Sequence, residues 1–253
     1  MIAEERQQRM RDELVRRPFL PGTALAARYG VSRATIHRDF DTLAATGMAR
    51  RVRGGLARIA GPAPAFPSSF NERKRLFAAE KDRIGRAAAR LVHDGETIIM
   101  DGGTTTSSMA PYLVAKRINV ITNSISVADY LADHSAIEVI VVGGSLYRSS
   151  KVLLGPPAIQ TLRQVNAHRT FVSAGGLTLE GVGHSDSLVV ETEKLMIARG
   201  AEVVLMADHS KFLAGGTMKV CPWNKISRVI TDRHVPPVFS AFFRRNGIAV
   251  TIA

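Results

Sequence analysis

Cysteine is nearly absent. One residue, Cys221, in 253 leaves nothing for a disulfide framework to close on, and no second thiol stands at metal-ligand spacing. The 7 histidines are scattered along the chain, so no metal site is expected, and no motif calls for a cofactor. Long hydrophobic runs are missing too. Nowhere do about eighteen apolar residues run uninterrupted, so no membrane-spanning helix and no membrane partner are expected. Residues 1–10 hold Glu4, Glu5, Arg6 and Arg9 and lack the apolar stretch of a secretory signal. A reducing cytoplasm is the expected compartment. Internal repeats are absent. The chain is 45% hydrophobic and 22% charged, which excludes disorder and suits one large domain or a small and a medium one.

Lysine is missing from residues 1–58, where 12 arginines face 6 acidic residues for a net of +6. The rest of the chain sets 22 basic against 16 acidic residues, another +6 over more than three times the length. The formal charge of +12 is therefore densest at the N-terminal end. Arginine without lysine suits bidentate contact with phosphates and guanine edges, although a solvated basic face would have the same composition.

Between Ile59 and Phe70 the chain reads IAGPAPAFPSSF, and Pro62, Pro64 and Pro67 forbid a continuous helix or central strand. The expected organisation is a helical DNA-binding domain over 1–58, a linker over 59–70 and an α/β domain over 71–253. In the last part the runs ETIIMD, NVITN, IEVIVVGG, RTFVSAGG, AEVVLMAD, RVITD and IAVTIA read as strands. Helical patterns fall at 80–92, 187–199 and 236–245. Continuous apolar strands alternating with helices predict a parallel sheet covered on both faces.

In the N-terminal part, helices are expected over Glu4–Arg16 and Thr23–Tyr29. Gly30 suits a helix end, and Ser32 suits the N-cap of a third helix running from Arg33 to about Ala45. Ile36, Phe40 and Leu43 fall on one stripe and face the core. Arg33, Ala34, Thr35, His37 and Arg38 lie away from it, small, hydroxylic or basic, as a helix entering the major groove requires. Gly47 is expected to end this helix. Arg50, Arg51 and Arg53 follow in a basic hairpin suited to phosphate contact.

In the C-terminal part, polar and glycine clusters sit where strands end. These are Asp101-Gly102-Gly103-Thr104-Thr105-Thr106, Asn123-Ser124, Gly143-Gly144, Gly175-Gly176 and Asp208-His209-Ser210-Lys211. Ligands of parallel sheets collect at that edge, and a strand-to-helix turn rich in Gly and Thr can hold a phosphate on free N–H groups. An ordinary turn with threonine caps reads the same. Pro111 implies that the helix after Thr105 is kinked or starts late.

These residues carry a resemblance. EERQQRM, GVSRATIHRDFDTL and RRVRGG resemble the winged helix of DeoR-type transcriptional regulators. DGGTTT, TNS, VVGGSLY, LLGPPA and ADHSKF resemble their effector domain, in the same order along nearly the whole chain. Ser32, Thr35, Ile36, Arg38 and Asp39 match the family's recognition helix, and His37 replaces its usual Arg. The resemblance implies an effector domain related in fold to ribose-5-phosphate isomerase and a phosphorylated sugar or polyol as ligand. It puts the phosphate at Gly102 to Thr106, with Asn123, Gly143, Gly144 and Lys211 around the remainder. Gly175 stands where an Asp is frequent. The implied protein is a repressor of carbohydrate catabolism that binds a double-stranded DNA operator as a homodimer or higher homo-oligomer. Two alternatives remain at this point. One is an isomerase-like enzyme using Lys211 with Asp101 or Glu180; the other is a constitutive nucleic-acid binder without a ligand.

Overall fold

The structure, a computed structural model, describes residues 2–16, 19–45, 49–58, 69–212 and 216–253. The chain divides into two compact units, Met1–Phe66 and Pro67–Ala253. Residues 59–68 of the expected linker lie outside the described residues, as does Gly47. The linker does not extend to 70. Ser69 N-caps a helix beginning at Phe70, and its side chain and that of Glu72 form a capping box.

The first unit contains α1 (Ala3–Arg16), β1 (Phe19–Pro21), α2 (Gly22–Tyr29), α3 (Arg33–Ala45), β2 (Ala49–Val52) and β3 (Gly55–Arg58). Its sheet runs β1-β3-β2, antiparallel throughout, so the basic hairpin is a wing and the short strand β1 closes it. Gly30 ends α2 at φ 64, a left-handed position that glycine adopts without strain. Met10, Leu14, Leu20, Leu25, Ile36, Phe40, Leu43, Ala49 and Leu56 form one core. The stripe on α3 faces inward as the sequence predicts.

The second unit opens with α4 (Phe70–Arg75) and α5 (Ala78–Ala89), then β4 (Thr97–Met100), α6 (Thr104–Ser107), β5 (Ile118–Thr122), α7 (Ile125–Leu131) and β6 (Ile137–Val141). A hairpin of β7 (Ser145–Tyr147) and β8 (Val152–Leu154) precedes α8 (Pro156–Arg163) and β9 (Ala167–Val172). The chain continues through β10 (Gly176–Thr178), β11 (Gly181–His184), α9 (Ser187–Arg199), β12 (Gly200–Met206) and β13 (Met218–Cys221). It closes with β14 (Arg228–Thr231), α10 (Pro237–Arg245) and β15 (Ala249–Ile252).

The seven expected strands assemble into one parallel sheet, ordered β15-β14-β12-β9-β4-β5-β6. One core cluster joins Ile84, Ala88, Ile98, Met100, Val120 and Val204. Another joins Val172, Leu205, Val229, Trp223, Phe239 and Phe243. Pro111 does not kink α6. That helix ends at Ser107, and Pro111 sits in a following 3-10 turn, where its missing N–H is not needed.

Candidate functional site

In the first unit α3 is fixed from behind. Asp39, 2% exposed, accepts from Arg6 Nε at 2.6 Å and Nη2 at 3.2 Å, and from Gln7 Nε2 at 2.8 Å. This bidentate pair ties α1 to α3, and it was not read from the sequence, where nothing pairs positions so far apart. Ser32 Oγ accepts from the Thr35 N–H at 3.1 Å and so caps α3. Arg33, Ala34, His37 and Arg38 are exposed beyond it, and Thr35 is half-buried. On the wing Arg50, Arg51 and Arg53 are exposed. Arg51 is drawn onto α3, with Nη1 2.8 Å from Asp41 Oδ1 and Nη2 3.3 Å from His37 Nδ1. Arg33, His37 and Arg38 on the helix and Arg50, Arg51 and Arg53 on the wing are thus all exposed, and Arg51 links the two elements.

In the second unit the strand ends converge, with changed roles for several residues. Asp101 is buried and its carboxylate is occupied. Oδ1 accepts from the Gly103 N–H at 3.0 Å and from the Thr106 hydroxyl, and Oδ2 accepts from Ser173 N at 2.7 Å and Ser173 Oγ at 2.9 Å. It organises the loop and has no oxygen to spare for a ligand. Thr106 is equally committed. A side chain on Gly102 would collide with Val152, and one on Gly103 with Ser173, so these glycines answer to close protein packing as well as to any anion. Ser124 is fully buried and caps α7 by accepting from the Val127 N–H at 3.3 Å. Gly143 and Gly144, at φ 77 and 109, set the entry to the β7–β8 hairpin. Thr104 is half-buried and Thr105 buried. The first N–H groups of α6 have no intrahelical partners. Asn123, 5% exposed, keeps Oδ1 without a hydrogen-bond partner beside Gly102.

A group of cations gathers near this edge. Lys81 on α5 is buried and donates to the carbonyls of Arg73 at 2.5 Å and Leu76 at 2.7 Å. Burial pushes its ammonium down to about 8, with Lys211 and Arg73 acting the same way against Asp208. Burial also lowers the half-buried Lys211, which feels the same Asp208 and Arg73. Arg73 Nη2 donates to Ser150 Oγ in the β7–β8 turn at 2.9 Å. Lys81 and Arg73 were missed in the sequence, although Lys81 falls on the buried stripe of α5 with Ile84, Gly85 and Ala88, an anomaly that marks it. A recess of about 230 Å³ lined by Thr178, Glu180, Val182 and Met218 includes none of these strand-end residues.

The histidines are scattered in sequence but not all in space. β12 and β14 are neighbours, so the residues after them converge and bring His209, Asp232 and His234 within 4.8 Å of one another by their ligand atoms. His209 Nδ1 lies 2.5 Å from Asp232 Oδ2, and His234 Nδ1 lies 3.9 Å from Oδ1. Against the burial that would raise it, the His209 ring holds Asp232 below the usual carboxylate range.

A winged helix-turn-helix with a basic outer face, carried on one chain with a parallel α/β domain, defines a DNA-binding transcriptional regulator. The chain belongs to the DeoR family: residues 6–60 match the DeoR-like helix-turn-helix domain and residues 77–233 the DeoR C terminal sensor domain. It is 31% identical over 254 residues to the HTH-type transcriptional repressor GlcR of Bacillus subtilis (strain 168), covering 100% of this chain and 97% of that protein. It is 28% identical over 250 residues to the HTH-type transcriptional regulator UlaR of Shigella flexneri serotype 5b, covering 99% of each. Family and relatives are regulators, not enzymes. Among solved structures, ribose 5-phosphate isomerase A of Methanocaldococcus jannaschii overlaps 53% of this chain and 54% of its own, at TM-score 0.39 and 17% identity. Among the described residues no helix is long and apolar enough to cross a membrane.

Proposed function

We propose that this regulator represses carbohydrate catabolism genes and is released or modulated by a phosphorylated sugar or polyol. DNA contact is assigned to Ser32, Arg33, Ala34, Thr35, His37 and Arg38 on α3, with Arg50, Arg51 and Arg53 gripping phosphates from the wing. The effector's phosphate is assigned to Lys211, Lys81 and Arg73. Asn123 and the backbone at Gly102, Gly103, Gly143, Gly144 and Gly175 border it, while Asp101, Thr106 and Ser124 hold the loops in place. A homodimer or higher homo-oligomer in the cytoplasm fits the symmetry of operators.

One observation carries this reading. Arg73, Lys81 and Lys211 act on one another as like charges, with Asp208 beside the two lysines, Glu80 beside Lys81 and Glu72 beside Arg73, so three cations meet at the strand ends. A phosphomonoester carries about −1.5 to −2 at pH 7 and relieves the mutual repulsion of these cations.

The test is thermal unfolding with inorganic phosphate, a panel of sugar and polyol phosphates, and their unphosphorylated counterparts. A phosphorylated compound is expected to stabilise the protein, by about 2.7 kcal/mol at a hundred times its Kd, and Lys211→Met to remove the effect. No stabilisation by any phosphate, or stabilisation that survives Lys211→Met, overturns the reading.

A further inference from the structure

We infer that His184 reads the end of the effector away from the phosphate, as a neutral hydrogen-bond donor that selects a hydroxyl or carbonyl oxygen and rejects an ammonium. This rests on the strand-end cations being the phosphate site.

The ring's position follows from the β10–β11 ladder. Its register pairs Gly176 with Gly183, Leu177 with Val182 and Thr178 with Gly181, so residue 175 falls opposite 184. Gly175 has no side chain, and the imidazole takes the room. A Cβ there would come within 3.0 Å of His184 Cδ2 and of its Cα. The ring is half-buried and feels Asp186, Asp101, Lys211 and Arg73, which places it among the groups of the strand-end site.

The tautomer follows from its one hydrogen bond. Nδ1 accepts from the Asp186 N–H at 3.1 Å, so a neutral ring carries its proton on Nε2. Nε2 meets no hydrogen-bond partner among the described residues. Burial lowers the imidazole's affinity for a second proton, and Lys211 and Arg73 push the same way. The nearest acid does not reverse this. The Asp186 carboxylate is engaged by the Leu188 N–H at 3.0 Å, the Val189 N–H at 3.3 Å and the Tyr147 hydroxyl. The half-buried ring therefore offers an N–H that has no protein acceptor among the described residues, within reach of the charges of Lys211 and Arg73. A ligand oxygen satisfies it. A ligand ammonium would face a donor and add positive charge next to Lys211 and Arg73.

The test uses the full chain with inorganic phosphate and with a panel of neutral sugar, polyol and amino-sugar phosphates. Binding is measured by calorimetry for the wild type, His184→Leu and His184→Gln. The preferred compound is expected to be an amine-free phosphate that binds more tightly than inorganic phosphate. That preference should fall about tenfold in His184→Leu, the worth of one hydrogen bond, and recover in His184→Gln, whose amide can donate. Affinity for inorganic phosphate should stay constant across the variants, which shows that each has folded. An unchanged preference in His184→Leu, an amino-sugar phosphate as best ligand, or no compound better than inorganic phosphate overturns the inference. If neither inorganic phosphate nor any phosphorylated compound binds the wild type, the phosphate site itself is wrong.

Discussion

Lys81 occupies a position that its own helix would give to an aliphatic side chain. Its ammonium is buried against the carbonyls of Arg73 and Leu76 and has Asp208, Lys211 and Arg73 as charged neighbours. The folded protein holds this group at about 8, below the ordinary 10.5. The sign follows. Below pH 8 both states carry the proton and the full burial penalty opposes folding. Between 8 and 10.5 the unfolded chain binds a proton that the folded one has released, so stability rises with pH, by up to about 3 kcal/mol from this group. The lowered Lys211 acts in the same direction, and Cys221, pushed up to about 12 by burial, acts in the opposite one. Urea unfolding from pH 7.5 to 10.5 separates them: the wild type should gain stability relative to Lys81→Met across this range. Parallel profiles would show that Lys81 does not titrate there.

Among the elements, α3 shows how a short helix is held rigid enough to read DNA. Its inner stripe packs into the core, Ser32 caps its start, and Arg6 clamps Asp39 from α1. Removing one partner of a buried pair strands the other, so Arg6→Leu should destabilise the first unit by about 3–5 kcal/mol. The double variant Arg6→Leu/Asp39→Leu should recover much of that loss in urea unfolding. Equal losses in the single and double variants would mean that the pair is not what holds the helix. Periodicity made α3 legible in advance, as continuous apolar runs made the seven strands of the main sheet, because those signals are local. The same reasoning found α9 at its observed bounds, Ser187–Arg199. It missed what depends on partners distant in sequence: the Arg6–Asp39 pair, the small strands β10, β11 and β13, and the assembly of Arg73, Lys81 and His184 beside Lys211. It also read Asp101 and Ser124 as ligand contacts, because a strand-end polar residue that serves a loop looks, in one dimension, like one that serves a ligand. The Ser69–Glu72 capping box was there to be read, yet the proline-rich run before it led the linker one helix cap too far.

For the whole molecule, the chain combines exposed arginines on helix and wing in one unit with a group of three cations at the strand ends of the other. An effector alters DNA affinity only if it prefers one of the states the protein adopts, so anion binding and operator binding must be linked by a coupling free energy. The measurement that bears most directly on this is fluorescence anisotropy of the protein on the DNA upstream of its own gene. It is run at fixed salt, with and without the phosphorylated compound that best stabilises the protein, and repeated with Arg38→Ala. The compound is expected to change the wild-type DNA affinity by about 5- to 150-fold, and Arg38→Ala to weaken binding by about 1–3 kcal/mol. DNA affinity that stays the same in the presence of a compound shown to bind would contradict the linkage, and absence of specific DNA binding would contradict the assignment of α3.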